Sequence, residues 1–139
     1  MAASVATSGF GAVFAYLSTD PTTYTSLSEV VSITVPEITV ETIDVTHHAS
    51  DDGFREIIAG LKDGGEATVT MNYIEASATL LQTLVLAGRE TFRITFNAAS
   101  TYTFTGIPTA FSFGDLVIDD KMTMSLTIKV SGKPVYAAV

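Results

Sequence analysis

From Met122 to Ser131 the chain alternates without a fault, Met122, Met124, Leu126, Ile128 and Val130 against Thr123, Ser125, Thr127, Lys129 and Ser131. A period of two puts all five apolar side chains on one face of an extended strand, whereas a helix would scatter them around its circumference. A slip of one residue in pairing would carry the whole apolar set into water, so the register must be firmly fixed. The same period recurs in Ala67, Val69, Met71 and Tyr73, in Phe92, Ile94 and Phe96, and in Val31, Ile33 and Val35. The chain is therefore mainly β, and its fold must bring several such faces onto one core.

The remaining segments fit around these strands. Residues 1–9 read as a small-residue arm, residues 10–17 as a short apolar strand, and residues 18–23, with Asp20-Pro21, as a loop. Pro36 ends or bends the strand before it, and residues 38–45 continue in β character. Thr91 to Phe96 and Thr101 to Ile107 form a hairpin turned by residues 97–100; Pro108 interrupts, Phe111 and Phe113 resume, and residues 114–120 are a turn-rich connection. One helix is expected, over residues 73–87, with the domain-level boundary at 74–87. Asn72 and Glu75 have the spacing of a capping box, Leu80, Leu81, Leu84 and Val85 make one apolar stripe, and Gly88 supplies the stop. Those four side chains could each contribute about 1.5–3 kcal/mol on burial before entropy is subtracted, which makes the helix a lid on a β core.

Residues 46–65 stand apart as a charged loop of about twenty residues that also carries Phe54, Ile57, Ile58 and Leu61. Loops this long are uncommon inside a compact domain and are usually functional or disordered, and the apolar content argues against disorder. This segment is expected to meet partners. Phe54, between Gly53 and Arg55, is either tucked beneath its own loop or presented to another subunit, and aromatics and Arg are enriched at interfaces.

At 139 residues without cysteine, the chain reads as one domain able to build a core without disulfides or thiolate metal sites. A formal charge of −8 with seven Lys and Arg excludes ordinary affinity for nucleic acid, which rests on neutralising phosphates. The same charge suits a wall past which DNA slides. The amino terminus lacks the basic region of a secretory signal, and no stretch approaches the roughly 18 apolar residues of a membrane span, so no membrane anchoring is expected. The polar strand faces are mostly Thr and Ser, and edges so poor in charge invite pairing with a neighbouring chain.

Catalytic and metal readings find little support. His47-His48 with Asp44, Asp51 and Asp52 could be drawn as a metal site, but adjacent residues of an extended chain point in opposite directions and no third histidine exists. Asp51-Asp52-Gly53 lacks the spacing of a calcium loop. There is no G-x-S-x-G, and neither Gly64-Gly65 nor Gly9-x-Gly11 sits in a phosphate-loop context. Arg55-Glu56 and Asp120-Lys121 read as exposed ion pairs worth about 0–1 kcal/mol. No catalytic residue, cofactor or metal is assigned.

ETIDVT followed by SDDGFREIIAGLKDGGEATVTMNY resembles the central motif of the major tail tube proteins of long non-contractile-tailed bacteriophages, the phage lambda tail tube-like family. DDKMTMSLTIKVSGKP is similar to that family's carboxy-terminal strand, and SEVVSITVP to its early strand, so the likeness spans nearly the whole chain in order. The sequence departs from the family at Ile74-Glu75, where Asp-Pro often follows the Asn-Tyr pair.

The resemblance implies a β-sandwich or barrel-like tail tube fold with one flanking α-helix and a long inter-strand loop, in a single domain over residues 1–139 with terminal arms at 1–9 and 132–139. No separate carboxy-terminal immunoglobulin-like domain is expected. It further implies a non-enzymatic virion protein, assembled in the host cytoplasm into stacked hexameric rings through which DNA is ejected. Its partners would be copies of itself, the tape measure protein and phage DNA in the lumen, and the tail terminator and tail tip proteins at the ends. The inter-ring and inter-subunit contact role carries over to Ser50, Asp51, Gly53, Phe54, Arg55, Glu56, Ile57, Ile58, Leu61 and Lys62. Two alternatives remain beside it. One is the tube protein of a contractile injection or secretion apparatus; the other is a monomeric β-sandwich binding module, against which the absence of Trp counts.

Overall fold

The computed structural model describes residues 10–17, 23–96 and 100–138. The expected amino-terminal arm, residues 18–22 of the expected loop at 18–23 and residues 97–99 of the expected turn at 97–100 lie outside those residues. Nine strands and one helix follow in the order β1 (Val13–Leu17), β2 (Tyr24–Ser26), β3 (Val30–Thr34), β4 (Thr39–Asp44), β5 (Ile57–Asp63), β6 (Glu66–Asn72), α1 (Glu75–Ala87), β7 (Glu90–Phe96), β8 (Ser100–Phe113) and β9 (Thr123–Ala137). Seven of the strands form one antiparallel sheet in the order β2-β1-β7-β8-β9-β6-β3, and β4 and β5 pair only with each other.

The alternating residues meet as their period requires. In the β6 and β9 ladder Ala67 pairs with Ile128, Val69 with Leu126 and Met71 with Met124, and all six are buried. Across β1, β7 and β8, Phe14 pairs with Ile94, and Phe92 pairs with both Tyr16 and Phe104. The Phe92 ring lies 5.7 Å from Phe14 and 5.8 Å from Phe104, centroid to centroid, within the range of favourable aromatic contact. Residues from both halves of the sheet join one core cluster, and β1 touches β3 although four strands separate them in the order. The sheet thus curls over its own apolar face. Leu81 and Leu84 of α1 are buried in that cluster and Leu80 and Val85 pack against it, as the stripe predicts.

Several expectations change. The span 46–65 is only partly loop: Ile57–Asp63 is a strand, and the irregular part shortens to residues 45–56. The carboxy-terminal arm at 132–139 is not free through Ala137, because β9 continues and pairs Ala137 with Thr101 and Tyr136 with Tyr102. Pro108 does not break β8, since it sits where the register shifts between Pro108 and Ala110, a bulge that tolerates a residue lacking an N–H donor. The Val31, Ile33, Val35 face is broken by another shift between Val30 and Ser32, so Val30 and Ile33 pack on the core while Val31 is exposed. The capping box does not form: Ile74 is the N-cap without a side-chain bond, and Asn72 stays in the β6 ladder opposite Thr123, its amide donating to Glu29 at 3.4 Å. Gly88 ends the helix at φ 92°.

Candidate assembly interface

Every residue of β4 is exposed, and so is every residue of β5 except the half-buried Gly60. Near the tip Ile43 lies opposite Ile58 and Asp44 opposite Ile57, and closer to the root the register shifts at a bulge between Val40 and Thr42. An isolated two-stranded hairpin is at best marginally stable in water, yet this one leaves Val40, Ile43, Ile57, Ile58 and Leu61 uncovered by its own subunit. Surface of this kind marks an interaction site.

The tip is held by its own polar groups. Val45 and Glu56 close it with a backbone bond of 2.9 Å, the Glu56 N–H donates to Thr46 Oγ1 at 2.8 Å, and the Thr46 N–H donates to Asp44 Oδ1 at 2.8 Å. The Thr46 hydroxyl first, and then its N–H, hold the Asp44 carboxyl below its ordinary pKa. The Ser50 hydroxyl accepts from the His47 N–H at 3.0 Å and donates to the Glu56 carboxylate, which also lies 3.3 Å from His47 Nε2. His47 Nδ1 accepts from the Ala49 N–H at 3.1 Å. Asp51–Gly53 makes a single 3₁₀ turn in which Asp52 adopts the left-handed conformation, φ 55°, that Asp tolerates better than most side chains. Phe54, just after the turn, is left 74% exposed. Of the two readings of Phe54, it is not tucked beneath its own loop.

The root of the hairpin is tight where the tip is bare. Gly65, at φ 80°, lies so close to the Glu37 backbone that any Cβ there would collide with it, and its carbonyl accepts from the Val130 N–H at 3.0 Å. Asp63 Oδ1 accepts from the Gly65 N–H at 2.8 Å and from Lys129 Nζ at 3.2 Å. Both contacts, the Gly65 amide first, lower the Asp63 pKa.

The ten residues expected to make contacts therefore divide. Ser50, Asp51, Gly53, Phe54, Arg55 and Glu56 lie on the tip, and Ile57, Ile58, Leu61 and Lys62 lie along β5. The expected ion pairs rearrange: Arg55 reaches Asp44 at 3.9 Å, Glu56 faces His47, and the Lys121 N–H bonds its neighbour Asp120 through the backbone at 2.8 Å. Among the described residues no three His, Asp or Glu side chains gather into a cation-binding group. No described helix is long and apolar enough to cross a membrane.

A second bare patch escaped the pattern reading. Leu116, Val117 and Ile118 stand exposed in the connection before β9, beside a groove lined by Tyr73, Phe113, Leu116 and Met122. The available signal was an apolar triplet inside a turn, flanked by Asp115 and Asp119.

Known proteins share this architecture. A chain in the tail of an empty gene transfer agent particle, of C6 symmetry, superposes with a TM-score of 0.78 at 14% identity, covering 96% of this chain and 100% of that one. A chain in the sheath/tube terminator structure of an extracellular contractile injection system gives 0.79 at 11% identity, over 99% and 100%. The tail tube of SPP1 gives 0.65 at 11%, over 92% and 77%. No curated protein sequence matches. The family described as lambda phage tail tube protein does match, over residues 8–137, and with nearly the whole chain covered the protein belongs to that family.

Proposed function

We propose that this protein is the repeating subunit of a hollow virion tail tube, built from stacked hexameric rings, in which the β4-β5 hairpin connects one ring to the next. The observation that carries the reading is the hairpin itself: a registered pair of strands with almost no side chain covered by its own subunit. Ser50, Asp51, Gly53, Phe54, Arg55 and Glu56 make the contacts at its tip, and Ile57, Ile58, Leu61 and Lys62 those along its arm. Family membership supports the tube, and the C6 symmetry of the similar gene transfer agent tail supports rings of six. The net charge of −8 suits a conduit that phage DNA traverses without adhering.

In this reading the lumen holds the tape measure protein before DNA, terminator and tip proteins close the ends, assembly takes place in the host cytoplasm, and the protein performs no catalysis. Structures from contractile injection systems fit equally well in fold, so a tube within a contractile sheath is the second reading. The test of the first is to replace residues 40–62 by a short Asn-Gly turn. The shortened protein should unfold cooperatively, since no buried apolar side chain is removed, yet form no tubes by negative-stain microscopy where the intact protein does. Tubes of normal appearance from it would overturn the proposal.

A further inference from the structure

The root of the hairpin and the second apolar patch lie at opposite ends of β6. β6 leaves the hairpin root at Gly65 and reaches the patch at Tyr73, whose N–H donates to the Met122 carbonyl at 2.9 Å. The seven residues of β6 between them span roughly 20 Å at about 3.3 Å each. β9 runs the same course in reverse, from Thr123 beside the patch to Lys129 clamping the root through Asp63.

The patch is built to receive a side chain. Tyr73 and Phe113 stand 5.9 Å apart and Phe111 meets Phe113 edge-on at 5.0 Å, flooring a groove that continues along α1 past Ala78 and Gln82. Beyond it Leu116 is 77% and Ile118 fully exposed. The portion bounded by Tyr73, Phe113, Leu116 and Met122 encloses about 370 Å³, room for an aromatic ring.

Resting on the ring-to-ring role proposed for the hairpin, we infer that its acceptor is this groove on a second copy of the chain: Phe54 of one subunit enters beside Tyr73, Phe113 and Leu116 of the next. A knob at one end and a socket at the other form a heterologous contact, the kind that repeats into an open filament instead of closing on itself. The fit is apolar and not electrostatic: beside Arg55, which faces Asp44 at 3.9 Å, the tip carries Asp51, Asp52 and Glu56, and the loop bearing Leu116 carries Asp115, Asp119 and Asp120.

The absence of natural cysteine makes the inference directly testable. A double variant Phe54→Cys, Leu116→Cys is assembled into tubes and oxidised; a bridge within one copy would leave a monomer band, so only covalent multimers count. The expected result is a ladder of covalent multimers on a non-reducing gel, absent from unassembled protein at the same concentration. A parallel variant, Phe54→Cys with Val31→Cys, probes another apolar groove, beside β3. Tubes without a 54–116 ladder, whether or not the 54–31 pair cross-links, overturn the inference. If Phe54→Cys prevents assembly, Ile57→Cys with Leu116→Cys takes its place and is judged in the same way. Tube formation by the hairpin-less protein would instead defeat the proposed function, so the two failures are distinct.

Discussion

Replacing Phe54 by Ala should raise the concentration at which tubes form while leaving the isolated subunit as stable as before. The ring is 74% exposed in the subunit, so about three quarters of its burial is still to be gained on assembly. Full burial of a Phe side chain contributes about 1.5–3 kcal/mol, which leaves about 1–2 kcal/mol for the contact between copies. Each subunit offers one Phe54 and one acceptor, so this amount enters once per subunit added. With about 1.4 kcal/mol for each factor of ten, the critical concentration should rise roughly 5–30-fold. It is read from the protein left in the supernatant after sedimenting a concentration series. Unfolding of the monomer in urea should change by no more than about 0.5 kcal/mol, as expected for an exposed substitution. An unchanged critical concentration would refute the reasoning. So would a loss of more than about 1 kcal/mol in the monomer, which would mean that the ring packs on its own chain.

The core and the root give two further expectations. Phe92, fully buried between Phe14 and Phe104, should cost about 3–5 kcal/mol when changed to Ala, measured by urea unfolding of the subunit; a loss below about 1 kcal/mol would contradict the core described here. Asp63 has its folded-state pKa lowered from 3.8 by the Gly65 amide and then by Lys129. Its contribution to the hairpin root is therefore complete above about pH 3.8 and lost as pH falls through the lower folded value. Hydrogen exchange in β4 and β5, corrected for intrinsic rate, should accelerate on acidification from pH 5 to pH 3, and Asp63→Asn should flatten that dependence. An equal acceleration in the variant would assign the effect to other groups.

Strands that bury one face announced themselves. In Met124, Leu126, Ile128 and Val130, or Ala67, Val69 and Met71, the period of two is imposed by the core, and pairing followed from it. β5 gave no such signal, because Ile57-Ile58-Ala59-Gly60-Leu61 faces water on both sides within the subunit and nothing enforces alternation. What marked it was apolar content in a charged setting, which set the segment apart without revealing its conformation. Pro108 misled for a related reason: it suggests an interruption, and in the folded chain it lies where the β8 and β9 ladder shifts register. The Asn72 and Glu75 pair had the spacing of a cap, but Asn72 stayed in the β6 ladder opposite Thr123. The socket was hidden because Tyr73 is far along the chain from Phe113, Leu116 and Met122, and they meet only when β6, β8 and β9 are in register.

The packing of Gly65 against the Glu37 main chain separates two properties that usually evolve together. Where the arm points is set at its base by glycine, a carbonyl and an amide, none of which depends on the side chains farther out. In the proposed contact between rings, what the arm grips is set by those outer side chains, which are exposed in their own subunit. Residues along the arm are thus free to drift in step with a partner surface while the spacing between successive copies stays constant. A lineage could rewrite the specificity of its joints, keeping its own subunits from mixing with those of a relative, without altering the pitch of what it builds.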